Sequence, residues 1–130
     1  MVNRITLVGN LGRDPELLTT ESGRHRTTFP VATNRRYTNG NGELVEEVTW
    51  HRIVTWGKLA ETCNQYLEKG RLVYVEGRVR NYQTTPPEGD PVWRTEVVAN
   101  VVRFLGKKNG NGAPAAEAPP EGENTEEVPF

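Results

Sequence analysis

The most informative stretch of the chain, residues 47–56, reads Glu47-Val48-Thr49-Trp50-His51-Arg52-Ile53-Val54-Thr55-Trp56. It alternates as a β-strand does and carries two tryptophans six positions apart, which places both on one face. That face would carry Val48, Trp50, Arg52, Val54 and Trp56, and the opposite face Thr49, His51, Ile53 and Thr55. Flat rings beside a guanidinium suit stacked bases and phosphates. The alternative is that both tryptophans belong to the core, since tryptophan is highly buried on average.

Four more segments alternate in the same way, at residues 3–11, 25–37, 71–82 and 92–105. Pro30 predicts an edge or a bulge in the second of them, because proline cannot donate to a strand ladder. The run Asn39-Gly40-Asn41-Gly42 favours a tight hairpin turn, since asparagine and glycine accept positive φ. This turn would pair the second strand with residues 44–56 and leave residues 34–37 on a projecting arm.

One helix is predicted between the third and fourth strands, at residues 58–69, with Gly70 as its stop. Its apolar stripe would be Leu59, Cys63, Tyr66 and Leu67. Five strands with a single helix after the third is the order of an OB-fold, an all-β five-stranded Greek-key barrel. The sequence therefore predicts a barrel of the class that binds single-stranded nucleic acids or oligosaccharides.

Charge is unevenly distributed along the chain, although its net value at pH 7 is only −1. All sixteen Lys and Arg lie in residues 1–108 with twelve of the seventeen Asp and Glu, giving +4, whereas residues 109–130 carry five Glu and no cation, giving −5. After residue 107 the composition shifts to Gly, Asn, Ala, Pro and Glu, from which no core can form. We predict a mildly basic domain at residues 1–107 with an anionic partner, and a disordered acidic tail at residues 108–130.

Catalytic and metal-binding patterns are missing from the sequence. Cys63 is the single cysteine and the two histidines are far apart, so we expect no disulfide, no metal site and no cofactor. His51 has no nucleophile within its strand register, and we predict that the chain is not an enzyme. The first residues predict neither a signal nor a transit peptide, and no stretch is long and apolar enough to span a membrane. The expected compartment is a reducing cytoplasm.

Five blocks of residues, taken in their order along the chain, indicate a relationship to a known family. They are Asn3-Arg4-Ile5-Thr6-Leu7-Val8-Gly9-Asn10-Leu11-Gly12-Arg13-Asp14-Pro15-Glu16, Trp50-His51-Arg52-Ile53-Val54 with Trp56-Gly57-Lys58-Leu59-Ala60-Glu61, Tyr66-Leu67-Glu68-Lys69-Gly70 with Val73-Tyr74-Val75-Glu76-Gly77, Thr95-Glu96-Val97-Val98, and Val128-Pro129-Phe130. Together they resemble bacterial single-stranded DNA-binding proteins over nearly the whole chain. The resemblance implies an OB-fold homotetramer, cytoplasmic and associated with the bacterial nucleoid, that binds single-stranded DNA without sequence preference in replication, recombination and repair.

The resemblance also implies a set of DNA-binding residues. Trp50 and Trp56 match the family's stacking aromatics on this strand, and Tyr37 lies where the family often has Trp on the hairpin arm. Tyr82 is expected to replace a family Trp, because this chain has Thr84 at that position. The cations expected to contact phosphates, which lie beside aromatic residues on outward strand faces, are Arg4, Arg35, Arg36, Arg52, Arg78 and Arg80.

Two further sets concern protein contacts. His51 and Tyr74 match positions at the family's subunit interface, and His51 would face away from Trp50. The tip expected to recruit replication, recombination and repair proteins consists of Glu126, Glu127, Val128, Pro129 and Phe130. The family's tip is typically a run of Asp before the apolar ending, so this tip is the more weakly charged.

Other interpretations remain open at this point. A primosomal or RNA-binding OB protein would share the barrel but would not need the acidic tip, and a protein-interaction module would bind a polypeptide on its aromatic residues. Each arginine could be an ordinary solvated charge. Trp93 is assigned to packing and not to binding.

Overall fold

Six β-strands and one α-helix make up the structure, a computed structural model that describes residues 1–106. The elements are β1 Ile5–Leu11, β2 Glu16–Thr19, β3 His25–Thr38, β4 Leu44–Trp56, α1 Gly57–Tyr66, β5 Leu72–Thr84 and β6 Val92–Leu105. The predicted domain boundary after residue 107, the predicted tail and its tip lie outside the described residues.

Five of the strands form a closed barrel, because β1 pairs on both of its sides. The sheet runs in the order β1-β5-β6-β4-β3-β2, and β1 also pairs with β3, which joins the two ends. All pairings are antiparallel except that of β4 with β6, where Ile53 lies opposite Val97 and Val54 opposite Val98. This is the topology of the predicted OB-fold, with the one helix after the third barrel strand, and the prediction of fold class is confirmed.

The sequence did not predict β2, a short strand outside the barrel. Its four residues pair with residues 25–28 of β3. Leu17 and Leu18 are adjacent and both exposed, so the segment lacks the alternation that marks a half-buried strand. Main-chain pairing with β3 defines this strand, together with a hydrogen bond of 3.1 Å between the Thr19 hydroxyl and His25 Nδ1.

Pro30 lies where β3 changes its partner. Residues 25–28 pair with β2, and residues 31–32 pair with the end of β1. The carbonyl of Pro30 accepts a hydrogen bond from the Gly12 N–H at 3.0 Å, so the position of the missing proline donor faces the gap between β2 and β1. The predicted edge or bulge is therefore a break between two pairings, where proline costs no ladder bond.

Alternating apolar side chains fill the barrel. The buried cluster contains Leu11, Phe29, Val31, Ile53, Cys63, Leu67, Val73, Val75, Val97, Ala99 and Val102. Gly9 and Gly77 permit the closest strand approaches, because a β-carbon would lie 2.1 Å from the Ala32 carbonyl oxygen at the first and 2.2 Å from that of Val98 at the second. Residues 97–99 are buried in succession, which confirms the predicted burial of both faces of part of β6.

The helix ends earlier than predicted, and its predicted apolar stripe is correct at Leu59, Cys63 and Leu67, which pack in or against the core, but not at Tyr66. It ends at Tyr66, whereas Gly70, with φ of +90°, lies in the turn that follows. Tyr66 is 54% exposed, so its place on the predicted apolar stripe is wrong. Ala60 is buried instead, and its carbonyl accepts a hydrogen bond from the Thr27 hydroxyl of β3 at 2.7 Å. Contact with β3 therefore selects the buried side of α1.

Two hairpins project from the barrel. In the predicted arm, which is confirmed, residues 34–38 of β3 pair with residues 44–48 of β4. The Asn39 side-chain oxygen accepts hydrogen bonds from the N–H groups of Asn41 and Glu43, which fixes the turn. The second hairpin joins β5 to β6 and extends to Thr84 opposite Val92.

Asn3 continues β1 with its side chain. The Asn3 amide nitrogen donates to the Val79 carbonyl at 2.8 Å, and the amide oxygen accepts from the Val79 N–H at 3.0 Å. Backbone pairing of β1 with β5 begins only at Ile5 opposite Gly77. The side chain thus supplies both bonds that a further strand residue would make.

Candidate nucleic-acid interface

The outward side chains of β4, β5 and β6 form one surface of the barrel. Arg80 lies opposite Glu96 across β5 and β6, and Val54 lies opposite Val98 across β4 and β6. This arrangement brings together residues from strands that are distant in sequence. We call the surface the aromatic face and define it by Trp50, Arg52, Trp56, Arg78, Arg80, Tyr82 and Glu96.

Trp50 presents an open ring on the aromatic face. The residue is 60% exposed, and its ring lies against Gly12, where a β-carbon would be 2.4 Å from Cζ3 and 2.7 Å from Cη2. Beside the ring is a depression of about 390 Å³ whose lining includes Pro30 and residues 13, 14 and 16. A flat ligand group can therefore approach Trp50 from solvent.

Trp56 lies on the same face but is half-buried and covered. The guanidinium of Arg24 lies 4.4 Å from its ring centroid and that of Arg26 lies 5.8 Å away. Arg26 is opposite Trp56 in the β3–β4 ladder, and its Nε is buried without a hydrogen-bond partner in the described part of the chain. Val54 between the two tryptophans is buried. Both tryptophans thus lie on the predicted face, but Trp56 is less open to a ligand than Trp50 because Arg24 and Arg26 lie close to its ring.

The two tyrosines predicted to stack bases each carry an arginine. On the arm, the Arg35 guanidinium lies 4.4 Å from the Tyr37 ring centroid, and Tyr37 is partly exposed. On β5, the Arg80 guanidinium lies 5.5 Å from the ring of the half-buried Tyr82. Both tyrosines thus combine a ring with a positive charge at one place.

Five of the six arginines predicted to contact phosphates are engaged with carboxylates. The nitrogen-to-oxygen distances are 3.0 Å for Arg4 with Glu76, 3.3 Å for Arg35 with Glu47, 3.6 Å for Arg36 with Glu46, 3.6 Å for Arg52 with Glu96 and 2.6 Å for Arg80 with Glu96. Glu96 serves two of them with a side chain only 9% exposed. Arg78 is exposed and has no carboxylate partner within residues 1–106. The carboxylates fix the arginines and offset part of their charge.

Arg4 and Tyr74 meet on one carboxylate. The Tyr74 hydroxyl donates to Glu76 Oε1 at 3.0 Å, and Arg4 donates to Oε2 at the same distance. The hydrogen bond from Arg4, followed by that from Tyr74, holds the pKa of the Glu76 carboxyl below its usual range. Val8, opposite Tyr74 in β1, is exposed. The predicted interface residue Tyr74 therefore lies on an outer surface with both polar and apolar groups.

His51 lies on the other side of β4 from Trp50. Its Nε2 is 3.0 Å from the Thr33 hydroxyl, and the residue is half-buried. Burial lowers the pKa of the imidazole from its ordinary value. The neutral ring is thus the favoured form in this environment.

Trp93, assigned to packing from the sequence, is 69% exposed. It lies opposite Gln83 near the end of the β5–β6 hairpin, whereas Tyr82 lies opposite Arg94. Neighbouring residues of a strand point to opposite faces, so Trp93 is on the side of the hairpin away from the aromatic face. The assignment to packing is wrong within this chain.

Three residues near the rings were missed by the sequence analysis. The predicted hairpin turn already sets the β3–β4 register, and extending it would have placed Arg26 opposite Trp56. Arg24 lies beyond the end of β3, and Gly12 reaches Trp50 only through barrel closure. No sequence signal identifies these last two contacts.

Few side chains in the described part of the chain could hold a metal ion or act as a nucleophile. Within residues 1–106, no three His, Cys, Asp or Glu side chains are grouped to hold a metal ion. Burial raises the pKa of the Cys63 thiol to about 12, which disfavours the reactive thiolate. None of the helices among these residues is long and apolar enough to cross a membrane.

Comparison with known proteins gives a consistent picture. Residues 2–105 match the Single-strand binding protein family. The chain is 43% identical over 112 residues to single-stranded DNA-binding protein 1 of Chlorobaculum tepidum, covering 85% of this chain and 69% of that protein. It is 48% identical over 113 residues to the single-stranded DNA-binding protein of Staphylococcus aureus, covering 85% and 70%. The fold is similar to the Plasmodium falciparum protein in the structure "SSB complex with ssDNA", with a TM-score of 0.78, 30% identity, and coverage of 82% of this chain and 97% of that one.

Proposed function

Because the chain belongs to the single-strand binding protein family, we propose that it binds single-stranded DNA without sequence preference on the aromatic face and the arm. The observation that carries the proposal is the Trp50 ring, 60% exposed on a surface that also presents three arginines. Every base has a flat face, so stacking on exposed rings gives affinity without reading sequence.

The bases and phosphates are bound by different groups. Bases stack on Trp50, Trp56, Tyr37 and Tyr82, and phosphates contact Arg4, Arg35, Arg36, Arg52, Arg78 and Arg80. Ion pairs between exposed side chains are worth at most about 1 kcal/mol, so the arm arginines can exchange Glu46 and Glu47 for phosphate oxygens at small cost. Guanidinium groups bind phosphate through paired hydrogen bonds. The bound cations displace counterions from the DNA, and the affinity therefore falls as salt rises.

The functional unit that we propose is a homotetramer. His51 and Tyr74 lie at its subunit contacts, a proposal supported by the exposed apolar Val8 and Leu72 beside Tyr74 on β1 and β5. Such apolar groups gain from burial against a partner. His51→Lys would bury an unpaired charge at this contact, so we expect smaller species. Light scattering at micromolar concentration measures this, and a monomeric parent protein contradicts the proposal.

The chain acts as a binding protein and not as an enzyme in this proposal, in the bacterial cytoplasm at the nucleoid. We propose further that the tip, residues 126–130, recruits replication, recombination and repair proteins. An apolar ring next to acidic side chains suits an apolar pocket rimmed by cations. Pull-downs with the full-length chain, a chain lacking residues 121–130 and Phe130→Ala test this role, and equal partner recovery by the truncated chain refutes it.

One experiment tests the central proposal. Unlabelled oligo-dT is titrated into the full chain while intrinsic tryptophan fluorescence and light-scattering mass are recorded in the same sample. We expect strong quenching, because a base stacks on Trp50, and a mass of four chains. Mixed-sequence DNA and oligo-rU serve as competitors. Absence of binding to oligo-dT at low salt overturns the proposed function, and preferential binding of oligo-rU assigns the barrel to RNA instead.

A further inference from the structure

We propose that Gly12 and Arg13 complete a nucleotide subsite around Trp50, in which Gly12 holds the ring in position and Arg13 binds the phosphate of the nucleotide whose base stacks there. The inference rests on the proposed function and deepens it. Neither residue belongs to the predicted binding set, because both lie on the segment that leaves the barrel after β1. The Trp50 ring reaches Gly12 from β4, on the far side of β3.

Gly12 determines where the Trp50 ring can lie. A β-carbon on residue 12 would approach Cζ3 to 2.4 Å and Cη2 to 2.7 Å, which is closer than carbon atoms can come. These atoms are at the far end of a rotatable side chain, so an added methyl group displaces the ring and leaves the backbone in place. Gly12 is not among the glycines with positive φ, so alanine fits its backbone conformation. Gly12 is therefore required because it lacks a β-carbon and leaves room for the Trp50 ring, and not because its backbone conformation demands glycine.

Arg13 is the available cation beside that ring. It is exposed and lines the same depression as Trp50 and Pro30. Five arginines of the predicted set are engaged with Glu side chains, whereas Arg13 has no carboxylate partner within residues 1–106. A phosphate therefore meets Arg13 without first displacing an ion pair.

The charges of the depression determine which part of a nucleotide enters it. Asp14 and Glu16 are also in its lining, and Asp14 Oδ1 already accepts a hydrogen bond from the Lys69 N–H at 2.8 Å. The lining also contains Arg52, which is already engaged with Glu96, and the exposed Arg13. The two carboxylates repel a phosphate, so the neutral base occupies the depression against Trp50. The phosphate remains outside, within reach of the exposed Arg13 side chain. The ligand is thus one nucleotide unit of a single strand, with a base of any identity.

Two substitutions in the full chain test the two halves of the subsite. Affinity for fluorescently labelled oligo-dT is measured by anisotropy between about 50 and 200 mM salt. For G12A we expect about tenfold weaker binding, the size of a lost base stack, with an unchanged salt dependence. For R13A we expect the slope of log affinity against log salt to decrease in magnitude by about 0.7, the value for one phosphate contact on a single strand.

Matched controls separate these effects from general ones. G40A adds a methyl group where no atom lies within 4 Å, and K69A removes one charge while keeping the backbone N–H that bonds to Asp14. Both should bind as the parent does. In the double variant G12A/W50A, the glycine change should add nothing to the loss from W50A, since its effect passes through the ring.

The outcomes distinguish the subsite from the function on which it rests. If the parent chain binds oligo-dT while G12A binds equally well, or R13A keeps the full salt slope, the subsite is wrong and the proposed function stands. If the parent does not bind, the proposed function itself fails. Thermal melting of G12A and R13A should match the parent within a few degrees. If the melting temperature of G12A is much lower than that of the parent, Gly12 is needed for the fold itself. R13A, which changes an exposed side chain, then still tests the phosphate contact.

Discussion

Trp50 and Trp56 lie on one face of β4, yet they differ in how a ligand can reach them. Trp50 is open to solvent above Gly12, whereas the Trp56 ring has the guanidinium groups of Arg24 and Arg26 close to it. Strand alternation gives both residues the same orientation, but neighbouring segments decide what covers them. A base can stack on Trp50 at once, and it must displace an arginine to stack on Trp56.

The comparison predicts the largest loss of binding for Trp50→Ala. We expect an affinity for single-stranded DNA weaker by about 1 to 3 kcal/mol, the range for base–aromatic stacking, with little change in melting temperature because the ring is exposed. Anisotropy of labelled oligo-dT measures it without relying on tryptophan fluorescence. Trp93→Ala is the matched control, as it removes an exposed ring from the other side of the β5–β6 hairpin. Equal losses for the two variants would contradict an assignment of DNA to the aromatic face.

Trp56→Ala should weaken binding less, by about 1 kcal/mol or below, because a base on this ring replaces a cation–π contact that is itself worth about 0.5 to 1 kcal/mol. The same titration measures it. Arg24→Ala uncovers the ring and shows whether the cover limits stacking. A loss as large as that of Trp50→Ala would mean that Arg24 moves aside without cost, and the contrast between the two tryptophans would disappear.

On the arm, Arg35 contacts both the Tyr37 ring and Glu47. Glu47→Gln tests whether the ion pair with Glu47 weakens the binding of DNA by Arg35. Removing the competing carboxylate should strengthen binding at low salt by about 0.5 kcal/mol, a value typical of an exposed ion pair. Glu88→Gln makes the same charge change in the loop between β5 and β6. An equal gain in this control would assign the effect to net charge and not to the release of Arg35.

The smallest expected effect is on thermal stability and concerns His51, which is next to Trp50 in sequence but on the other side of β4. Its folded pKa is below the 6.5 of the unfolded chain, so the unfolded state takes up the proton first. Its contribution to stability is present above pH 6.5 and is lost as the pH falls through the folded pKa. Melting temperatures at about pH 7.5 and about pH 5 should therefore differ less in His51→Asn than in the parent. Equal decreases would show that His51 is not the titrating group.

Local patterns predicted the fold because each rests on nearby residues. Alternation located the five barrel strands, and the Asn39 to Gly42 turn fixed the arm. The same register places Arg35 opposite Glu47, so the ion pairs of the arm could have been predicted too. The leucines of β2 do not alternate, and helical spacing alone did not distinguish the exposed Tyr66 from the buried Ala60.

The site was predicted less completely, because access depends on contacts between distant segments. Trp50 was identified as a candidate from its own strand, but the position of Gly12 beside its ring follows from barrel closure. Arg24 lies beside Trp56 because the turn before β3 brings it there. Likewise, Glu96 engages Arg52 and Arg80 only once β6 lies between β4 and β5. Sequence patterns gave the orientation of these side chains and not their neighbours.

The side chain of Asn3 has a consequence for how the molecules behave at high concentration. Strand β5 runs past the first paired residue of β1, and an uncovered strand edge can pair with the edge of another chain and start aggregation. Asn3 occupies both backbone groups of Val79 at this point, so another strand cannot add there. One amide thus protects the chain from ordered self-association where its own backbone pairing stops.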